Sequence, residues 1–235
     1  MQRLAIYDLD RTVTRLPTWT PFLLSAARQA APWRLGLVPV AALAGAAHKA
    51  GLIGRDRIKE IMHALMLGRT IPPHRLAPLV DGFVERTVAG NIRPGARTRM
   101  EADRRAGYRV VLATAANRFY AEALAERLDI ADVVATESLS AGSGDVRNRL
   151  NGANVYGPAK RAAVEAWMRG EDLERGDVHI RFYSDHASDA PMFALADEPF
   201  AVNPHGALRR LAQANGWPIL DWNADAPRPV DGEKT

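Results

Sequence analysis

The chain has 235 residues, 47% of them hydrophobic and 25% charged, with a net charge of +4, a balance that suits one sizeable soluble core or a core with a smaller companion. It contains no cysteine, which excludes disulfides, thiolate metal sites and cysteine nucleophiles and fits a reducing compartment. Residues 1–100 hold 15 Lys and Arg against 6 Asp and Glu, whereas residues 101–235 hold 16 against 21. The basic first part anticipates either an anionic partner (a phosphorylated substrate, an acidic membrane surface, nucleic acid) or a merely solvated Arg-rich face.

In chain order, RLAIYD (3–8) reads as a buried strand. Residues 1–6 run straight into a charged motif, so no signal peptide is expected and a cytoplasmic location is. Residues 15–93 are predicted to be all helical, at 18–31, 34–50, 54–67 and 72–89, with Pro, Gly-Arg and Pro-Pro breaks between them. An insert directly after the first strand is expected to sit as a cap above the strand ends. Inside it, residues 35–47 form an uncharged stretch interrupted by Pro39, too short to span a bilayer and in the range of a core or interfacial helix. Trp33 and Arg34 precede it, and His48 and Lys49 follow.

Beyond the insert, strands at 108–114, 132–136, 178–184 and 199–203 alternate with helices at 94–106, 117–128, 158–169, 187–196 and 205–215. That alternation predicts an α/β core, a doubly wound and mostly parallel sheet built from 1–14 and 94–223. Residues 138–154 are rich in Gly, Ser and Asn and read as a turn or hairpin, with Gly142 and Gly144 as turn glycines. The tail 224–235 is rich in Pro and charge and is expected to fray.

Ligands gather at the carboxyl ends of the strands of such a sheet. Asp8 and Asp10 fall at the end of strand one and Thr114 at the end of strand two. Lys160, one of only 4 lysines beside 27 arginines, opens a helix, and Asp185 and Asp189 follow the strand at 178–184. Taken singly, each has a plain structural explanation: a turn aspartate, a strand-end threonine, a surface lysine, a helix-start charge cluster. Four carboxylates on one strand edge instead describe a hard-cation site, and Mg²⁺ suits oxygen ligands of this kind. Lys160 offsets further negative charge, and the Thr114 hydroxyl can bind phosphoryl oxygens.

DLDRTVT, VVLAT, GPAK and YSDHASD together resemble the four motifs of the haloacid dehalogenase superfamily of phosphatases, over residues 3 to about 222. The helical insert is similar to the family's C1-cap class, and the closing ADEPFAVNPHGALRRLAQANGWPILDW to its IB branch, which includes phosphoserine phosphatases and phosphatidylglycerophosphate phosphatases. The resemblance implies that Asp8 is the nucleophile of an aspartyl-phosphate mechanism. Asp10 would protonate the leaving alkoxide and then activate water. Asp8, the backbone carbonyl of Asp10 and Asp185 would hold Mg²⁺ with support from Asp189, and Thr114 and Lys160 would hold the transferred phosphoryl group. Arg11 stands where the family most often has Gly, as a possible extra cation at the substrate entrance, and His186 and Ser188 replace commoner small or amide residues. Pro17 occupies the place of a Glu that binds the substrate amine in phosphoserine phosphatases, and residues 13–28 contain no acid.

The insert carries 11 Lys and Arg against 4 Asp and Glu, and the phosphatidylglycerophosphate branch has an apolar stretch where 35–47 lies. The leading expectation is therefore a lipid phosphate such as phosphatidylglycerophosphate, with the cap in peripheral contact with an anionic membrane at its inner face. A small soluble ester (phosphoserine or histidinol phosphate) is the alternative. A basic binding module without turnover is a third reading. No nucleic-acid-binding motif accompanies the charge, so nucleic acid is not expected as a partner.

Overall fold

The computed structural model describes residues 1–223 and the backbone of Arg228–Pro229. Strand β1 (Gln2–Tyr7) lies inside the main sheet, parallel to β3 (Arg109–Asn117) on one side and β7 (Val178–Ser184) on the other. With β4 (Asp132–Thr136), β8 (Glu198–Val202), β9 (Ile219–Asp221) and β10 (Arg228–Pro229), the order is β10-β9-β8-β7-β1-β3-β4. All pairings are parallel except β10 with β9.

The strands are near-continuous apolar runs because both faces are covered. Ala5, Tyr7 and Leu112 point into one core, which also holds Phe22 of α1 (Trp19–Ala30), Val80 of α4 (Pro73–Gly90), Met100 of α5 (Pro94–Arg105) and Leu124 of α6 (Arg118–Glu126). Leu4, Ile6 and Val111 point the other way, onto Val164 of α7 (Pro158–Gly170), Phe193 of α8 (Ala190–Phe193) and Leu208 of α9 (Gly206–Asn215). This alternation follows from the two-residue period of a strand.

The chain leaves the sheet after β1 and returns beside itself. Arg15 donates its N–H to the Asn91 carbonyl at 2.7 Å, and Arg93 donates to the Val13 carbonyl at 2.9 Å. Between these crossings lie α1, a 3₁₀ turn at Pro32–Leu37, α2 (Val38–Lys49), α3 (Arg55–Met66) and α4. The insert is not wholly helical, because Thr70–Ile71 form a short strand, β2. It pairs with β6 (Val146–Leu150) of a hairpin whose other strand is β5 (Ser138–Ser140), so residues 138–154 do contain a hairpin. The single helix expected over 34–50 is instead split, with α2 beginning at Val38 and Pro39 in its first turn, where a missing N–H costs nothing.

No residue of α2 is buried. Leu43 is 71% exposed, and nearby in sequence Trp33 is 68% and Leu52 78% exposed. The apolar segment is thus a surface helix and not a buried one. No helix among the described residues is long and apolar enough to cross a membrane.

Two further departures concern short elements. The helix expected over 187–196 is a 3₁₀ turn followed by the single turn of α8, after which the chain rejoins the sheet, Asp197 donating its N–H to the Ile180 carbonyl at 2.9 Å. Strand β9 was not anticipated, because three residues carry no periodicity. The expectation for the tail lies outside the described residues except at Arg228–Pro229, which form β10.

The end of β9 is tied to α5 through Gly95, whose N–H donates to the Trp222 carbonyl at 3.2 Å. A Cβ on Gly95 would lie 2.7 Å from the Trp222 Cα and 2.8 Å from its Cβ. The fully buried indole cannot retreat, so Gly95→Ala is expected to destabilise the protein by about 1–3 kcal/mol, the usual cost of overpacking. A lowered urea midpoint at unchanged slope would register it.

Candidate active site

Asp8 follows β1 directly, and its N–H donates to the Tyr183 carbonyl at 3.0 Å, which fixes the carboxylate at the carboxyl edge of the sheet. Its Oδ1 accepts from Lys160 Nζ at 2.7 Å, and the same ammonium donates to Asp189 Oδ2 at 2.7 Å. Lys160 lies in the first turn of α7 and is 2% exposed. It reaches this place because Gly157, at φ +58°, brings the helix start against the Ser188 carbonyl, where a Cβ would sit at 3.3 Å. Ser184 at the end of β7 donates to Asp189 Oδ2 at 2.7 Å. Asp189 Oδ1 is buried with no hydrogen-bond partner among the described residues.

Asp185 is joined to Asp8 through Thr12. The Thr12 hydroxyl accepts the Asp185 N–H at 3.0 Å, and its own proton lies between Asp8 Oδ2 at 3.0 Å and Asp185 Oδ1 at 3.2 Å. Asp10 faces the insert instead. Its Oδ1 accepts from both the N–H and the hydroxyl of Thr18, each at 2.7 Å. Because the Thr18 proton is spent there, Tyr120 donates its O–H to Thr18 Oγ1 at 3.0 Å. The turn that follows the two aspartates places Arg11 at φ 65°, a left-handed conformation that glycine adopts without strain. Thr114 in β3 is buried, and its hydroxyl accepts the Ala116 N–H at 2.9 Å, leaving its proton for another acceptor.

Electrostatics follow from this crowding. Burial pushes Asp8 up to about 7; Lys160 pulls it down, while Asp189 and Asp185 push it further up. Asp10 is raised by burial against the two Thr18 donors, and Asp185 is raised by burial as well. Lys160 loses solvation too, but Asp189 and Asp8 outweigh that and hold it above the ordinary lysine range. The carboxylates thus outnumber the cation beside them. Among the described residues no three His, Cys, Asp or Glu side chains form a ready-made metal cage. The available donors are the Asp8 and Asp185 oxygens that share Thr12, with the unpartnered Asp189 Oδ1 nearby. A small set of oxygen donors in excess negative charge fits a hard divalent cation that keeps several waters.

These side chains line a cavity of about 390 Å³ between the sheet edge and α3. It holds every residue singled out from the sequence: Asp8, Asp10, Arg11, Thr114, Lys160, Asp185 and Asp189. Four residues of importance were not singled out. Thr12 and Thr18 orient the aspartates, and Lys59 and Tyr156 line the cavity. Thr12 lies inside the motif that drew attention to the aspartates, and Lys59 shares the rarity that marked Lys160. Thr18 and Tyr156 give no sequence signal. His186 accepts the Ser188 N–H on Nδ1 at 3.1 Å and so caps the turn that carries Asp189.

The family model for haloacid dehalogenase-like hydrolases matches residues 5–194. The chain belongs to that family. A Streptomyces azureus protein named inhibition of morphological differentiation protein is 31% identical over 96% of this chain and 79% of its own length. A Neisseria meningitidis histidinol-phosphatase is 26% identical over 94% of this chain and 100% of its own. A solved structure from Bordetella pertussis, described as a protein of unknown function, superposes with a TM-score of 0.84 at 25% identity, over 93% of this chain and 98% of that one. The α/β architecture and the family resemblance read from the motifs are therefore both borne out, and the chain is a hydrolase of the family's phosphatase type.

Thr18 touches Asp10 and not the cavity centre, which makes it a positioning residue. Thr18→Val keeps the backbone N–H and removes the hydroxyl. If Asp10 has the acid–base role implied by the motif, the change is expected to lower kcat about tenfold, with KM moving much less, because a misaimed carboxyl acts on the transition state. Equal changes in both constants would point to a general loosening of the fold.

Proposed function

We propose that the protein hydrolyses phosphomonoesters through a phospho-aspartate on Asp8, with Mg²⁺ held by Asp8, Asp185 and the Asp10 carbonyl and Asp189 in support. The observation that carries this reading is the convergence, on one cavity, of an anionic nucleophile beside a buried lysine and a second aspartate held apart from that lysine by Thr18. Bound Mg²⁺ would supply charge neutralisation at the phosphoryl oxygens and lower the Asp8 pKa. In the first half-reaction an Asp8 oxygen forms a bond to phosphorus as the bond from phosphorus to the alkoxide breaks, and the alkoxide takes the proton of Asp10. In the second, water attacks the phosphorus, its proton passes to Asp10, and the bond from phosphorus to Asp8 breaks to release inorganic phosphate. The raised pKa of Asp10 suits a group that must hold a proton between these steps. Lys160 and the Thr114 hydroxyl would stabilise the transferred group throughout. Residues 15–93 act as the cap that closes this site, on a core made of 1–14 and 94–223.

For the leaving group, the cavity volume suits a small metabolite ester, and the Neisseria relative bears a metabolite phosphatase name. A lipid phosphate is the second reading, favoured by the exposed Trp33, Leu43 and Leu52 on a basic cap. On that reading these side chains would enter an anionic membrane surface at the inner face of the cell.

Asp8→Asn is expected to reduce turnover of an aryl phosphate below about 1% of wild type while the fold is retained, since the amide is not an anionic nucleophile. Chelation should abolish activity and Mg²⁺ restore it. Radiolabelled phosphate should be trapped as a hydroxylamine-sensitive adduct in wild type and not in Asp8→Asn; its absence from wild type would sink the covalent route. The two leaving-group readings separate by cosedimentation. If the lipid reading holds, vesicles containing phosphatidylglycerol bind the protein at low salt, and Trp33→Ser with Leu43→Ser weakens binding while aryl phosphate cleavage persists. Efficient cleavage of soluble esters without vesicle binding would remove it.

A further inference from the structure

The two walls of the cavity differ in chemistry. The sheet wall supplies all the acids, Asp8, Asp10, Asp185 and Asp189, and the phosphoryl-binding Lys160. The wall contributed by the insert contains Trp19, His48, Arg55, Ile58, Lys59 and Met62 and no acid at all. Arg55 and Lys59 stand one helical turn apart on α3 and so face the same way.

Lys59 is the unusual member. It is 7% exposed, yet no carboxylate lies within ion-pair distance of it among the described residues. Its ammonium donates instead to two neutral oxygens, the Ala115 carbonyl and, at 3.1 Å, Asn154 Oδ1, and it stands 5.3 Å from the centre of the Trp19 ring. Arg55 lies over the Tyr156 ring at 3.8 Å, also without a carboxylate partner among the described residues. A buried ammonium satisfied only by neutral acceptors is costly, and burial correspondingly pushes Lys59 down to about 7 against the pull of Asp10 and Asp56. An anion in the cavity would relieve that cost.

Resting on the phosphatase reading above, we infer that the insert wall is a second anion subsite, in which Lys59 and Arg55 select esters carrying a negative group remote from the transferred phosphoryl. A carboxylate or a second phosphate on a soluble metabolite, or the phosphodiester of a lipid headgroup, has that chemistry. An ammonium group at the same place would face Lys59 and Arg55 with no acid on that wall to pair it. The subsite therefore selects against esters whose remote group is an ammonium with no accompanying anion, histidinol phosphate among them.

The test compares kcat/KM, with Mg²⁺ and wild-type protein, for 3-phosphoglycerate, glycerol 3-phosphate and phosphoethanolamine, which end in a carboxylate, a hydroxyl and an ammonium, and for phosphatidylglycerophosphate in mixed micelles. Preference for 3-phosphoglycerate or the lipid over glycerol 3-phosphate by roughly tenfold or more, the scale of one charge-assisted contact, with phosphoethanolamine poorest, is the expected result. Which of the two anionic esters leads identifies the source of the anion. Lys59→Met should bring the anionic-to-neutral ratio close to one and Lys59→Arg should keep part of it. Arg55→Gln, at an exposed position, should lower the ratio severalfold even if Lys59→Met fails to fold. Glycerol 3-phosphate or phosphoethanolamine cleaved as well as both anionic esters, or a ratio unmoved by Arg55→Gln and Lys59→Arg, overturns the subsite and leaves the phosphatase reading standing. No cleavage of any ester, an aryl phosphate included, overturns both.

Discussion

Everything at the sheet edge depends on keeping three buried carboxylates, Asp8, Asp185 and Asp189, next to a single buried ammonium. Taking such groups out of water costs several kcal/mol per ion unless partners replace the lost solvation. Lys160 serves two of the carboxylates at once, and Thr12 and Ser184 spread further hydrogen bonds over the set. No one segment carries enough donors for this. The arrangement therefore forces the turn after β1, the start of α7 and the loop after β7 to meet within ångströms. Gly157 permits the closest of these approaches.

The insert is fixed to this edge by apolar contact as well as by charge. Trp19, Phe22, Phe83, Phe119 and Tyr120 form one aromatic cluster joining α1 and α4 to α6, with the Phe22 and Tyr120 rings 5.0 Å apart and nearly parallel. Such rings bury large areas and hold each other's orientation. Thr18 immediately precedes the first of them, so its grip on Asp10 inherits the rigidity of the cluster. The paired crossings at Thr14 and Ile92 are the narrow connection about which the insert could move.

The parallel core could be read from the sequence because a strand covered on both faces becomes a continuous apolar run, and 3–8, 108–114 and 178–184 have that form. The candidate site residues could be read because Asp8, Asp10 and Asp185 lie just beyond such runs, where the backbone leaves the sheet, and Thr114 lies at the end of the apolar run within β3. Lys160 stood out through the scarcity of lysine. What could not be read arises from contacts remote in sequence. The Thr18 hydroxyl that holds Asp10 is itself held by Tyr120, about a hundred residues away, and β2 exists only because β6 passes beside it. Whether 35–47 would be buried depended on the size of the core beneath it. Leu35 and Leu37 of the 3₁₀ turn and Ala41 of α2 already cover that side, so the rest of the segment faces outward.

One peptide plane links the two walls of the cavity. The Ala115 carbonyl accepts from Lys59 and lies 3.0 Å from the Thr136 hydroxyl, while the N–H of the same plane, that of Ala116, donates to Thr114 Oγ1. An ammonium on the oxygen of an amide draws electron density toward that end and makes the N–H at the other end a stronger donor. The Thr114 oxygen gives up density in turn, and its remaining proton becomes more acidic. A charge carried by the insert thus sharpens a hydroxyl on the sheet by polarisation along three bonded groups, and it does so only while the insert is seated.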